Sequence, residues 1–129
     1  MVVDASLAVA MALAPAGFGP LGSRRMAAPS LLWSEAASAL RQLVWRRDVD
    51  QPEALIALGW LRAAKFEIHD SRDLMEDASR MAAQLGWAKT YDAEYIVLAR
   101  RLDLPLGTAD ARLGRAAASI VEVIAPKAF

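Results

Sequence analysis

The sequence predicts an α/β fold, a parallel sheet covered by helices on both faces, and three observations carry that prediction. Short apolar runs of strand character alternate along the chain with segments of helical periodicity, the order that builds parallel sheets. Hydrophobic residues make up 56% of the 129 residues, enough for one core in one domain spanning 1–129. No internal repeat or low-complexity tract marks a second domain.

Taken in order, Met1-Val2-Val3 is a short buried strand that ends at Asp4, and Leu7 to Leu13 is an Ala-rich helix. Pro15 to Gly22 holds three Gly and two Pro in eight residues and is a loop. Pro29 opens a long helix with Leu32, Glu35, Ala36, Ala39, Leu40 and Leu43 on one face. Arg41, Arg46 and Arg47 lie towards its end, where cations suit the helix dipole. A second helix starts at Asp50-Gln51-Pro52-Glu53, with Asp50 or Gln51 near the cap. Lys65 to His69 alternates as a strand, and Ser71 to Leu85 is a helix stopped by Gly86. Tyr91 to Leu102 is helical, Leu104 to Gly107 a brief strand, and Ala109 to Ala118 a helix. Ile120 to Ile124 is the clearest strand of the chain.

Charge and composition narrow the chemistry. Fifteen basic and fifteen acidic residues give zero formal net charge, unlike a protein that coats nucleic acid. That balance leaves room for an enzyme that grips one short stretch of substrate. With no cysteine, disulfides and thiolate metal sites are excluded, and a cytoplasmic setting fits. A single histidine, His69, leaves oxygen as the main donor to any metal, which favours magnesium or manganese. The uncharged stretch Ala5–Ser23 lacks the basic flank of a signal peptide and is broken by Pro15, Gly17, Gly19 and Pro20, so no targeting or membrane segment is expected.

Four acids stand out. Asp4 and Asp110 follow strands, at the carboxyl ends where open parallel sheets build their sites. Capping of the next helix explains either one equally well when taken alone. Glu35 sits on an apolar helix face beside Leu31, Leu32 and Ala39, where a charge is costly unless paired, metal-bound or able to reach water. Asp92 occupies the first turn of its helix, with Tyr95, Ile96 and Ala99 on its face; a favourable charge at a helix N-terminus is the plain alternative. Together the four are more specific. At about 4 Å, each like-charged pair costs on the order of 4 kcal/mol at an effective dielectric of 20. Such a cluster keeps its protons or takes up a cation, and an oxygen-ligated divalent ion is the simpler solution.

These residues also lie in four blocks: Met1-Val-Val-Asp-Ala-Ser6; Ala28-Pro-Ser-Leu-Leu-Trp-Ser-Glu35 with Ala39-Leu40; Thr90-Tyr-Asp-Ala-Glu-Tyr95 with Leu98-Ala99; and Gly107-Thr-Ala-Asp-Ala-Arg-Leu113. In order and spacing they resemble the PIN-domain ribonucleases over essentially the whole chain, and most closely the VapC toxins of bacterial toxin–antitoxin pairs. The resemblance implies a three-layer α/β/α sandwich around a central parallel sheet. It implies magnesium- or manganese-dependent endoribonuclease activity, with metal-activated water hydrolysing RNA phosphodiesters. Position by position it implies Asp4, Glu35, Asp92 and Asp110 as the acidic quartet that binds metal and catalyses. Thr108 then supports the last Asp, and Ser6 is a candidate support for the first. A homodimer and a small antitoxin partner are implied as well. The chain departs from the family in two places. The segment between the first helix and the Ala-Pro block is compressed into the Pro15–Gly22 loop. Gly107 stands where a bulkier aliphatic residue is usual, so its strand is expected to fray.

The remaining features have plainer expectations. His69, at a strand end, is structural or exposed rather than a general base. Trp33, Trp45, Trp60 and Trp87 are expected in the core or at a dimer contact, without the interleaved cations of a base-stacking platform. Asp70, Asp73, Glu76 and Asp77 make a solvated helix start. Arg24, Arg25, Arg112 and Arg115 are equally suited to phosphate and to solvent, and Arg112, following Asp110, is the strongest phosphate candidate. Two competing functions are weaker. A catalytically inactive PIN-like binding module would not need all four acids. A phosphotransfer enzyme with an aspartyl acceptor wants a second Asp two residues after the first, where this chain has Ser6.

Overall fold

A computed structural model describes residues 1–129. Five short strands form one all-parallel sheet: β1 (Val2–Val3), β2 (Met26–Pro29), β3 (Phe66–His69), β4 (Leu106–Gly107) and β5 (Val123–Ile124), in the spatial order β3-β2-β1-β4-β5. Val2 sits opposite Ala27 on one side and Leu106 on the other, which makes β1 the central strand. Helices α1 (Ala5–Leu13), α2 (Leu32–Trp45) and α3 (Gln51–Ala63) carry the chain outward from β1 to β3. Helices α4 (Ser71–Leu85), α5 (Tyr91–Leu102) and α6 (Ala111–Ala117) carry it back past β1 to β5. Right-handed crossovers in opposite directions put the two sets of helices on opposite faces, giving the three layers. Accordingly α1 packs on α2 and α3, while α5 packs on α4 and across β1, β2 and β4. No helix is long and apolar enough to cross a membrane.

Local chemistry accounts for most element ends. Asp50 caps α3 by accepting the Glu53 N–H at 2.8 Å. Gly86 ends α4 in the left-handed region at φ +71°, and the Trp87 N–H closes back on the Ala82 carbonyl at 2.8 Å. A core of thirty buried hydrophobic residues surrounds β1 and α5 and includes Val2, Leu7, Ile96, Leu98 and Leu106.

Two sequence expectations fail here. Pro29 does not open a helix: it is the last residue of β2, and α2 begins at Leu32. Met-Ala-Ala-Pro carries no β-branched residue, so propensity gives no strand signal. All four residues are nonetheless buried between β1 and β3, and burial there fixes the strand. Proline lacks the N–H of a ladder, which is tolerable only because it closes the strand. Nor does Gly107 fray its strand. It pairs with Val3 on β1 and Ile124 on β5. A Cβ at this position would lie 2.7 Å from Leu7 Cδ2 and 2.9 Å from Met1 Sδ, so these neighbours occupy the space a larger residue would need. Gly107→Val is therefore expected to destabilise the fold by about 1–3 kcal/mol through overpacking, read as a lower urea midpoint at unchanged slope. An unchanged midpoint would mean that Leu7 and Met1 move aside freely.

Candidate active site

The chain leaves β1 in one direction and returns on its other side at β4, so the crevice beyond the carboxyl ends of β1 and β4 is the topological switch point. Asp4 opens it. Its carboxylate caps α1, Oδ1 accepting the Leu7 N–H at 2.9 Å, and the side chain is buried. Oδ2 accepts the Thr108 hydroxyl, and the Ser6 hydroxyl lies 2.7 Å from Oδ1. Thr108, just past β4, in turn accepts the Asp110 N–H at 3.0 Å. The family likeness implied Thr108 as the support of Asp110. Here its hydroxyl proton goes to Asp4, and Asp110 meets it only through the backbone. The Asp110 carboxylate itself caps α6, accepting the Arg112 and Leu113 N–H groups at 2.9 and 3.2 Å.

Across the crevice, Glu35 in the first turn of α2 accepts the Tyr95 hydroxyl at 2.7 Å. Asp92 in the first turn of α5 takes an ion pair from Arg112, Nη2 to Oδ2 at 2.6 Å. The same nitrogen is 3.8 Å from Asp110 Oδ2, so one guanidinium serves both acids. The Arg112 guanidinium also lies over the Trp87 ring, 5.4 Å from its centroid. Two open cavities meet at Glu35 and Tyr91. One, of about 510 Å3, is lined by Trp87, Lys89, Asp92 and Arg112. The other, of about 550 Å3, is lined by Ser6, Ser34, Ser38 and Gln42 and contains no cationic side chain.

The electrostatics tie Asp4, Glu35 and Asp92 together. Burial raises the Asp4 carboxyl above its ordinary range and the Asp92 charge adds to this, against the Thr108, Leu7 and Ser6 hydrogen bonds. Burial likewise raises Glu35, with the charges of Asp92, Asp4 and Glu94 adding and the Tyr95 hydrogen bond opposing. Burial and then the Glu35 charge keep the Tyr95 phenol protonated, so it remains a donor. Glu94, also on α5, is buried beside Ser71 with Oε1 unpartnered, and burial raises its carboxyl too.

Chemically this donor set suits a hard divalent cation: oxygen atoms only, and three carboxylates whose mutual repulsion a cation would relieve. Its spacing is that of a cleft rather than a closed coordination shell, since no three His, Asp or Glu side chains are gathered into a metal centre. Arg112 stands between Asp92 and Asp110 and supplies positive charge there.

The other sequence candidates lie elsewhere. His69 pairs with Glu67 at 3.0 Å on the edge strand β3. Arg25 is held by Glu67, and Arg24 lies over Phe129. The acidic residues of α4 are solvated and partly paired, Asp77 with Arg80 and Arg101. Trp33, Trp45 and Trp60 are 39–76% exposed rather than in the core, and Trp87 lies beside Arg112 and Lys89. Sequence reading gave no role in the site to Tyr95 or Lys89, and it put Trp87 in the core or at a dimer contact. For Tyr95 a signal exists: a phenol inside an otherwise apolar helix needs a polar partner, and Glu35 was the unexplained charge.

No family model matches the chain. It is 35% identical over 114 residues to a curated VapC ribonuclease of Mycobacterium bovis, covering 88% of this chain and 87% of that protein. Ribonuclease VapC9 of Mycobacterium tuberculosis matches to the same extent. The crystal structure of PAE2754 from Pyrobaculum aerophilum superposes with a TM-score of 0.77 at 26% identity, covering 98% of this chain and 89% of that one. With that identity over that span, and with the acids placed at the sheet's switch point, the chain belongs to the VapC family of PIN-domain ribonucleases.

Proposed function

We propose that this chain is a metal-dependent endoribonuclease, the toxin of a toxin–antitoxin pair, which hydrolyses RNA phosphodiesters. The observation that carries the reading is the meeting of Asp4, Glu35 and Asp92 in one crevice, where burial and then the Asp92 charge raise the carboxyls of the other two. Asp4, Glu35, Asp92 and Asp110 are the residues that would hold magnesium or manganese. When bound, such an ion acidifies water and neutralises charge on the attacked phosphate. The protein's own part is positional: Thr108 and Ser6 fix the Asp4 carboxylate, and Tyr95 fixes Glu35. Arg112, which pairs with Asp92 and lies near Asp110, would turn to a substrate phosphate in this reading.

Purified protein is expected to cut RNA with magnesium or manganese and to stop in chelator. Asp4→Asn and Asp92→Asn should each reduce cleavage by at least about 10²-fold, since a metal contributes several kcal/mol of charge stabilisation. Both should keep the wild-type circular dichroism spectrum. Undiminished cleavage by both variants would remove the reading. One observation favours the alternative, an inactive PIN-like module that only docks a partner: no three acids close around a metal centre. Manganese calorimetry separates the two, a module giving no binding heat.

The partners proposed are RNA, a small cognate antitoxin and a second copy of the chain. Support for protein partners comes from the exposed apolar side chains of α2 and α3: Trp33, Trp45, Leu55, Ile56, Leu58 and Trp60. Light scattering on the isolated chain should give twice 13.9 kDa if the homodimer forms.

A further inference from the structure

The two cavities that meet at Glu35 and Tyr91 differ in kind. The flank of Ser6, Ser34, Ser38 and Gln42 offers hydroxyls and an amide, whereas the opposite flank joins two aromatic rings to two cations and the Asp92 carboxylate. Trp87 is held there by its surroundings. Its backbone N–H closes the cap of α4, and part of its ring packs on the core. Its ring also meets the Arg112 guanidinium at 5.4 Å, and both side chains line a cavity of about 510 Å3. That volume lies within the roughly 300–1,000 Å3 of pockets that enclose small organic ligands. Lys89 lines the same cavity, and Tyr91, 55% exposed, marks its junction with the other. An indole and a guanidinium are planar groups on which a flat heterocycle stacks, and the Lys89 cation beside them suits a phosphate attached to such a ring. Arg112 is already paired with Asp92, so Lys89 is the cation of this cavity not held by a carboxylate, and a strand phosphate would compete with Asp92 for Arg112.

We propose that Trp87 and Arg112 form a nucleobase-stacking subsite: one unpaired base, next to the phosphate that is cut, lies on the Trp87–Arg112 pair, with Lys89 beside its phosphate. The proposal rests on the nuclease reading and adds to it a residue that selects how the strand lies in the crevice. Trp87 does not hold the metal or move a proton; it positions the strand.

Binding tests this separately from cleavage. A fluorescein-labelled RNA hexamer is titrated by anisotropy into the Asp4→Asn protein, which leaves the strand intact, and into the Asp4→Asn/Trp87→Leu double variant. Loss of the indole is expected to weaken binding by about 5- to 150-fold, the range for one base stacked on an aromatic ring. Trp87→Phe should recover much of the loss. A hexamer made abasic at the stacked position should bind both proteins equally. A second readout needs no change at Trp87: 2-aminopurine placed at successive positions of the hexamer should be quenched on binding at one position above all. Equal binding of the intact hexamer with and without the indole, or quenching uniform along the strand, would overturn the subsite while leaving the nuclease intact. If neither protein binds the hexamer and the wild type cuts no RNA, the nuclease reading falls and the subsite with it.

Discussion

Glu35→Gln is expected to reduce RNA cleavage by at least about 10²-fold and, in chelator at neutral pH, to raise the unfolding temperature of the protein. Both effects follow from one placement. Burial, then the charges of Asp92, Asp4 and Glu94, raise the Glu35 carboxyl above its ordinary range, while the Tyr95 hydrogen bond opposes them. An acid with a raised folded-state pKa holds its proton more tightly in the folded chain than in the unfolded one. Its contribution to stability is therefore complete below the ordinary carboxylate range and is lost as pH rises through the raised value. Gln has no proton to lose and still accepts from the Tyr95 hydroxyl. The two proteins should unfold at similar temperatures near pH 4 and diverge above it, by about 4 °C for each kcal/mol of relieved repulsion. Scanning fluorimetry from pH 4 to 8 reads this directly. Parallel curves would show that the Glu35 charge costs the fold nothing. Added manganese should narrow the gap by stabilising only the protein that keeps the carboxylate.

Such a site, in which stability is given up for charge density, was legible in the sequence only in part. Asp4 and Asp110 could be placed because caps after strands are local features, set by residues one to three positions away. Glu35 could be singled out because a charge on an apolar stripe needs a reason. The partners that supply those reasons are not local. Tyr95 lies 60 residues from Glu35, and Thr108 lies 104 residues from Asp4. Spacing along one helix or strand carries no information about such pairs. Strand β2 was missed for a related reason: Ala27 and Ala28 are extended because β1 and β3 flank them, not because alanine favours a strand. Arg112 was suggested as a phosphate ligand from its place after Asp110. That it already pairs with Asp92, and lies over Trp87, depends on the end of α4 lying beside the starts of α5 and α6.

Thr108→Val tests the longest of these links. Valine keeps the shape of threonine, so the buried position is filled while the hydroxyl is lost. Asp4 then loses the hydrogen bond that most opposes its raised pKa, and the Asp110 N–H loses its acceptor. Asp4 keeps its Ser6 and Leu7 hydrogen bonds, so the two lost bonds should cost about 1–3 kcal/mol of stability. Cleavage should fall by about 10- to 100-fold, the usual effect of removing a group that orients a metal-binding carboxylate. What separates a role in catalysis from mere loosening is pH. Without the Thr108 hydrogen bond the Asp4 carboxyl rises further, so a larger share is protonated in weak acid and the acidic limb of the rate profile moves to higher pH. The deficit should shrink as pH rises from 6 to 8, and Thr108→Ser, which keeps the hydroxyl, should restore both rate and profile. A deficit of constant size at every pH would mean that Thr108 holds the strand end together without acting on Asp4.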